Sequence, residues 1–326
     1  LSKPKVTIGI PTLDRPEHLQ FAIDSALQQT IPVQIIVADQ GQSYETAAVM
    51  ERYREHPNVV HLPSDATCLQ ENWNFAARAC DTEYFVFLQD DDTLSRAWAK
   101  RVAKGLDFFG EALHIQGFCY VTPDRIHSIK WGFNGPCVGV NMRDLTPELW
   151  HGEYVIAPMY LMSWALSPGV GFRCGEAFSA ALDAMPMDCD LFTERLIIAE
   201  MGSRGDWVAD PITAGFWHHH GKNESYGQNA NGSVPQQYQT LVDRLDAILD
   251  RTPSWPTGMQ AWCGMRNVFE VMGWLKEVSK EGSRHPIALS RHHEAICEAM
   301  ASSLEGRVRG VESPAPVEDE GVLVFD

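Results

Sequence analysis

The sequence predicts an α/β protein: a mostly parallel, Rossmann-like sheet with helices on both faces, followed by a C-terminal helical extension. Three observations lead there. Between Lys5 and Leu88, β-branched or aromatic runs alternate with helical periodicity, as successive βα units do. Two of those runs end on carboxylates, Val33–Ala38 on Asp39 and Tyr84–Leu88, after Gln89, on Asp90-Asp91-Asp92. The carboxyl ends of strands are where open α/β sheets bind ligands. From Gln236 to Leu304 the pattern is helical alone.

In order, Lys5–Ile10 reads as a buried strand stopped by Pro11-Thr12, and Pro16 opens a helix with Leu19, Ala22, Ile23, Ala26 and Leu27 on one face. Val33–Ala38 is a second strand, a helix runs from about Thr46 to Glu55, and Val59–Leu62 is a third strand. Helix Leu69–Ala79 leads to Tyr84–Leu88. The triplet behind it concentrates like charges and calls for a cation, unless it is a solvated turn. Ser95 is expected to cap a helix reaching about Gly105, after which Ile115–Val121 and Ile126–Trp131 suggest loops and an antiparallel edge.

Further on, Ser167–Arg173 is a glycine-rich turn and strand start, suited to close backbone approach by a ligand or to a plain turn. Asp188-Cys189-Asp190 precedes a helix with Leu191, Arg195, Leu196 and Ile198. The strand Val208–Trp217 ends in His218-His219-His220, where the strand period puts His218 and His220 on one face. The expected organisation is a domain over 1–225 that divides near residue 105, where the character of the sequence changes. A helical region over 226–310 and a mobile acidic tail over 311–326 follow. Trp262, Met265, Phe269, Met272 and Trp274 give that helical region more apolar surface than a lone helix leaves in water. It either packs on the first domain or joins a second copy in a homo-oligomer.

Lys and Arg number 26 against 43 Asp and Glu, a net charge of −17, which argues against a nucleic-acid or polybasic membrane surface. An anionic substrate then needs local help, and the triplet is the place to hold a divalent ion. The eight cysteines show no C-x-x-C pair or zinc spacing and read as reduced core thiols, which suggests the cytoplasm, at most peripheral to a membrane. No apolar run approaches the roughly 18 residues of a membrane span, and Leu1-Ser-Lys-Pro lacks the build of a signal peptide.

The strand ending in Pro11-Thr12, the Asn72-Trp73-Asn74-Phe75-Ala76 helix before Glu83-Tyr84, and the strand ending in the Asp triplet together resemble glycosyltransferase family 2, over about residues 5–220. The resemblance implies a GT-A fold and transfer of a sugar from a nucleoside diphosphate to an acceptor hydroxyl with inversion, a hexosyltransferase activity. It implies that Pro11, Thr12, Asn72 and Asn74 line the nucleotide pocket and that Asp39 meets the base, favouring UDP or dTDP; the other reading of Asp39 is a turn cap. Trp73 stands where the family often has Arg.

In the resemblance, Gln89 takes the place of the first acid of the Asp-x-Asp motif, leaving Asp90 for the ribose, Asp91 for Mn²⁺ or Mg²⁺ and Asp92 in support. His220, before Gly221-Lys222-Asn223, matches the His that closes over metal or diphosphate. Asp188, with Asp190 as alternative, matches the general base, which the acceptor hydroxyl needs as it attacks. Two other readings stay open: a sugar-nucleotide-binding protein without catalysis, for which Asp188 is superfluous, and a metal-dependent sugar nucleotidyltransferase, for which Pro11-Thr12-Leu13-Asp14-Arg15 lacks glycines. No G-x-G-x-x-G follows the first strand, which sets dinucleotide oxidoreductases aside.

Overall fold

The computed structural model describes residues 3–123, 133–134, 147–161, 168–186, 192–219, 234–266 and 268–308. Asp188, Asp190, His220, the expected strand at 126–131 and the tail from 311 lie outside these residues. The described strands are β1 Val6–Thr12, β2 Val33–Asp39, β3 Val59–Pro63, β4 Tyr84–Phe87, β5 Thr93–Leu94, β6 His114–Pro123, β7 Phe133–Asn134, β8 Glu148–Trp150, β9 Val170–Arg173 and β10 Trp207–His219. They form one sheet in the order β3-β2-β1-β4-β9-β6-β10-β5, with β7 against β6 and β8 against β10.

The half that holds β3, β2, β1 and β4 is parallel, as the alternation predicts. Beyond β4 the sheet is mixed. β9 runs antiparallel to both β4 and β6, so β4 and β6 run parallel with β9 inserted between them. Helix α4 (Trp98–Phe108) makes that crossover, and Gly171 of β9 lies beneath it, where a Cβ would stand 2.6 Å from Val102. The helix begins later than expected. Ala97 stands at its N-cap, while the Ser95 N–H donates to the carbonyl of Ala214 on β10 at 2.8 Å.

Pro11 does not stop β1, which continues to Thr12 in register with Asp39. The reason is local: β4 pairs with β1 only as far as Gly9 opposite Phe87, so no ladder bond is asked of the proline nitrogen.

Two apolar layers sandwich the sheet. On one face Val6, Ile8 and Ile10 pack with Leu19 and Ile23 of α1 (Pro16–Leu27) and with Val102 and Leu106 of α4. Proline suits the first turn of α1, whose N–H groups lack helical partners. On the other face Phe85, Phe87 and Phe172 meet Trp73 of α3 (Leu69–Arg78), Phe178 of α6 (Glu176–Asp183) and Ile197 of α7 (Thr193–Gly202). Gly9 makes room there, since a Cβ on it would stand 2.4 Å from the Phe85 ring. A buried aromatic such as Trp73 removes enough area to contribute on the order of 4–6 kcal/mol.

The C-terminal helices are α8 Val234–Asp250, α9 Trp255–Met265, α10 Val268–Val278, α11 Pro286–Leu289 and α12 His293–Val308. Leu241, Leu245 and Leu249 of α8 and Trp262 of α9 belong to the same contiguous core as Phe85 and Trp73. Buried Asp246 of α8 accepts from Tyr160 Oη at 2.5 Å and Ser290 Oγ at 2.5 Å, tying this region to the segment before β9. Trp262 stacks on Trp274 at 5.3 Å, whereas Phe269 remains 81% exposed and Met272 52% exposed. No described helix is long and apolar enough to cross a membrane.

Candidate active site

The carboxyl ends of β1, β2 and β4 meet the N-terminus of α3 around a cavity of about 260 Å3, lined by Pro11, Thr12, Arg15, Asn72, Trp73, Gln89 and Asp90 among others. Of the triplet, Asp90 lines this cavity, and all three acids are buried. Thr12 Oγ1 donates to Asp90 Oδ2 at 2.7 Å, and the His218 N–H donates to Asp92 Oδ1 at 3.0 Å. Asp92 Oδ2 is buried with no hydrogen-bond partner among the described residues.

The cation that the triplet calls for is present within the chain. Arg15 Nη1 stands 3.1 Å from Asp90 Oδ1 and 3.1 Å from Asp91 Oδ2. The loop geometry aims it there: Asp14 adopts φ 51°, and its carboxylate packs where a Cβ on Gly41 would stand 2.1 Å away. The Arg15 carbonyl, in turn, accepts the His18 and Leu19 N–H groups at the start of α1.

Burial pushes the Asp90 carboxyl up to about 6; Arg15 opposes that rise, and the neighbouring Asp91 charge adds to it. Burial, reinforced by Asp91, also pushes Asp92 well above the usual carboxylate range. Both shifts express one fact: packed carboxylates without water favour protons or cations.

Asp39, at the end of β2, accepts the Gln42 N–H on Oδ1 at 2.9 Å and meets His61 Nε2 on Oδ2 at 3.0 Å. The turn-capping reading is therefore realised, alongside any role toward a base. Asn72 Nδ2 bridges the carbonyls of Ala38 at 3.0 Å and Thr12 at 3.4 Å, while its buried Oδ1 has no hydrogen-bond partner among the described residues. Asn74 is turned elsewhere. Its Oδ1 accepts from Gln70 at 3.0 Å, its Nδ2 reaches the Leu182 carbonyl at 3.4 Å, and it is not among the cavity-lining residues. Residues two apart on a helix point roughly 200° from one another, which separates the two asparagines. Trp73 is a core side chain stacked on Phe87 at 4.3 Å.

Thr12, Asn72 and Asp90 thus line one cavity. Arg15, His61 and Glu194 are contacts that no sequence motif announces, and His218 meets the triplet through its backbone N–H. Arg15 was detectable as the first cation after β1, but Glu194 reaches Gln89 across 105 residues and no local spacing announces it.

The described part of the donor set suits Mg²⁺ or Mn²⁺: it is all oxygen, and Asp92 Oδ2 is an orphaned buried acceptor. Among the described residues no three ligating side chains are gathered, yet such ions commonly take one or two carboxylates with substrate phosphates as further ligands.

Residues 7–148 match the sequence model of the family described as Glycosyl transferase family 2. No curated protein matches the chain. Among solved structures, S. aureus TarS 1-349 superposes with TM-score 0.53 at 13% identity, covering 98% of this chain and 96% of that one. The same protein in complex with UDP-GlcNAc gives 0.50, with 13% identity and the same coverages of 98% and 96%. The mannosyltransferase PcManGT from Pyrobaculum calidifontis, in complex with GDP-Man and Mn²⁺, also gives 0.50 at 13% identity, over 95% of this chain and 89% of that one. At such identities these likenesses speak for the fold. The family match over 7–148, set within a fold shared along the chain with these solved structures, supports a glycosyltransferase whose residues 7–148 are of the family 2 type.

Proposed function

We propose that this glycosyltransferase moves a hexose from a uridine or deoxythymidine diphosphate sugar to an acceptor hydroxyl, inverting the anomeric centre, in polysaccharide, glycolipid or glycosylated-metabolite synthesis. The cavity between Thr12, Asn72 and Asp90, with buried Asp91 and Asp92 following Asp90 in the chain, is the observation that carries this reading. The ligands of the structural neighbours support a nucleotide-sugar donor, since TarS is in complex with UDP-GlcNAc and PcManGT with GDP-Man. An Asp39 carboxylate with lone pairs beyond its Gln42 and His61 contacts can accept the imide N–H of uracil or thymine.

Asp90 would face the ribose, held in place by Thr12. Asp91 and Asp92, with His220, would hold Mn²⁺ or Mg²⁺, which when bound neutralises charge on the diphosphate leaving group. Asp188, or Asp190, accepts the acceptor's proton as its oxygen attacks from the face opposite the diphosphate. A single carboxylate base with no covalent sugar intermediate inverts the centre. The free thiols of the described cysteines suit a cytoplasmic enzyme.

Thermal stabilisation by a panel of nucleoside diphosphates and their sugars, with and without Mn²⁺, tests donor and metal together. UDP or dTDP should stabilise more than GDP, and Asp91→Asn should abolish the Mn²⁺-dependent part. Better stabilisation by GDP refutes the pyrimidine assignment. Asp188→Asn should cut transfer by roughly 10²-fold or more with donor binding nearly intact. A product with the donor's anomeric configuration, read by NMR, refutes inversion.

A further inference from the structure

We propose that Arg15 is the resident counter-ion of the acid triplet: it holds Asp90 and Asp91 while the donor site is empty, and turns to the donor diphosphate when a divalent ion takes Asp91. Metal and donor then bind as a pair. This inference rests on the metal reading above and goes beyond it, because it gives the free enzyme a defined cation of its own.

The geometry supports each half of the exchange. One Nη1 serves both carboxylates at 3.1 Å, so an ion approaching Asp91 Oδ2 meets a guanidinium already on that oxygen. Two cations at one oxygen repel, and one must leave. Arg15 has somewhere to go. It lines the cavity, is partly open to solvent, and is the one Lys or Arg among the described residues of the lining. A guanidinium pairs with phosphate oxygens as readily as with carboxylates.

The rest of the site need not rearrange. Asp90 keeps its Thr12 hydroxyl on the other oxygen, and the Arg15 backbone is held by the first turn of α1, so a rotamer change suffices. In a chain of net charge −17, releasing a cation toward the incoming phosphates also offsets long-range repulsion of an anionic donor.

Calorimetric titration of Mn²⁺ into the parent and Arg15→Gln, each alone and with saturating UDP, dTDP or GDP, tests the exchange. Without nucleotide, Arg15→Gln should bind Mn²⁺ more tightly than the parent by on the order of tenfold, and its further gain on adding nucleotide should shrink. Mn²⁺ alone should raise the melting temperature of the variant and not of the parent. The milder Arg15→Lys, whose ammonium is a poorer bridge between two carboxylates, should move the same way by a smaller factor and stands in if the Gln variant fails to fold. Unchanged affinity for Mn²⁺ alone in the variants overturns the exchange while leaving the metal reading intact. Failure of the parent and both variants to bind Mn²⁺, with or without nucleotide, overturns both.

Discussion

Gln89 Nε2 donates to Glu194 Oε1 at 2.9 Å, joining the residue in front of the acid triplet to the first turn of α7. The bond explains why an amide stands where the family pattern has an acid, since a carboxylate at 89 would face another carboxylate. Gln89→Asp should lower stability by about 1–3 kcal/mol, and Glu194→Gln should restore much of it in the double variant. Urea denaturation of the four proteins in the cycle measures the coupling.

Arg101 Nε donates to Asp210 Oδ2 at 2.6 Å, with both side chains buried, and pins α4 to the irregular stretch of β10 between Ala209 and Thr213. Burial raises the Asp210 carboxyl despite the guanidinium. Arg101→Met should cost about 3–5 kcal/mol by stranding that charge, and Arg101→Met/Asp210→Leu should recover part of the loss. Chemical denaturation at neutral pH decides.

His114 sits in the core, parallel to Trp207 at 5.9 Å, and burial pushes its pKa down from 6.5 to about 3. Within that window the unfolded chain takes up a proton that the folded chain refuses, so stability rises with pH and is lost as pH falls. The slope from this residue should approach about 1.4 kcal/mol per pH unit. His114→Gln should flatten the stability profile between those limits relative to the parent, as read by denaturation midpoints.

Cys80 Sγ lies 3.5 Å from Cys174 Sγ, and that hydrogen bond pushes Cys80 down to about 6 against burial, with help from Thr7 and Thr82, while Cys174 is raised. At about pH 7 Cys80 should therefore be the first of the described thiols alkylated by iodoacetamide, since reactivity follows the thiolate. Mass mapping checks this. Cys80→Ser should remove the fast phase, and buried Cys119, whose thiol is pushed up, should stay unlabelled until unfolding.

Strand runs of β-branched and aromatic residues, and the amphipathic spacing of Leu19, Ala22, Ile23 and Ala26, are local patterns, and they made the parallel half of the sheet legible from the chain alone. Thr12, Asn72 and Asp90 line one cavity at that edge, and their grouping was suggested by a family resemblance, not by periodicity. What the tertiary structure decided is which groups meet across long separations. It placed β9 between β4 and β6, turned Asn74 away from the cavity and clamped Asp39 with His61. It drew the C-terminal helices into the core with Trp73, and it set Arg15 over Asp90 and Asp91. Periodicity reports which face of an element is buried; it carries no information on what lies opposite. Ion pairs and inserted strands depend on what lies opposite, so the charge of the triplet was written in the sequence and its counter-ion became visible only in the fold.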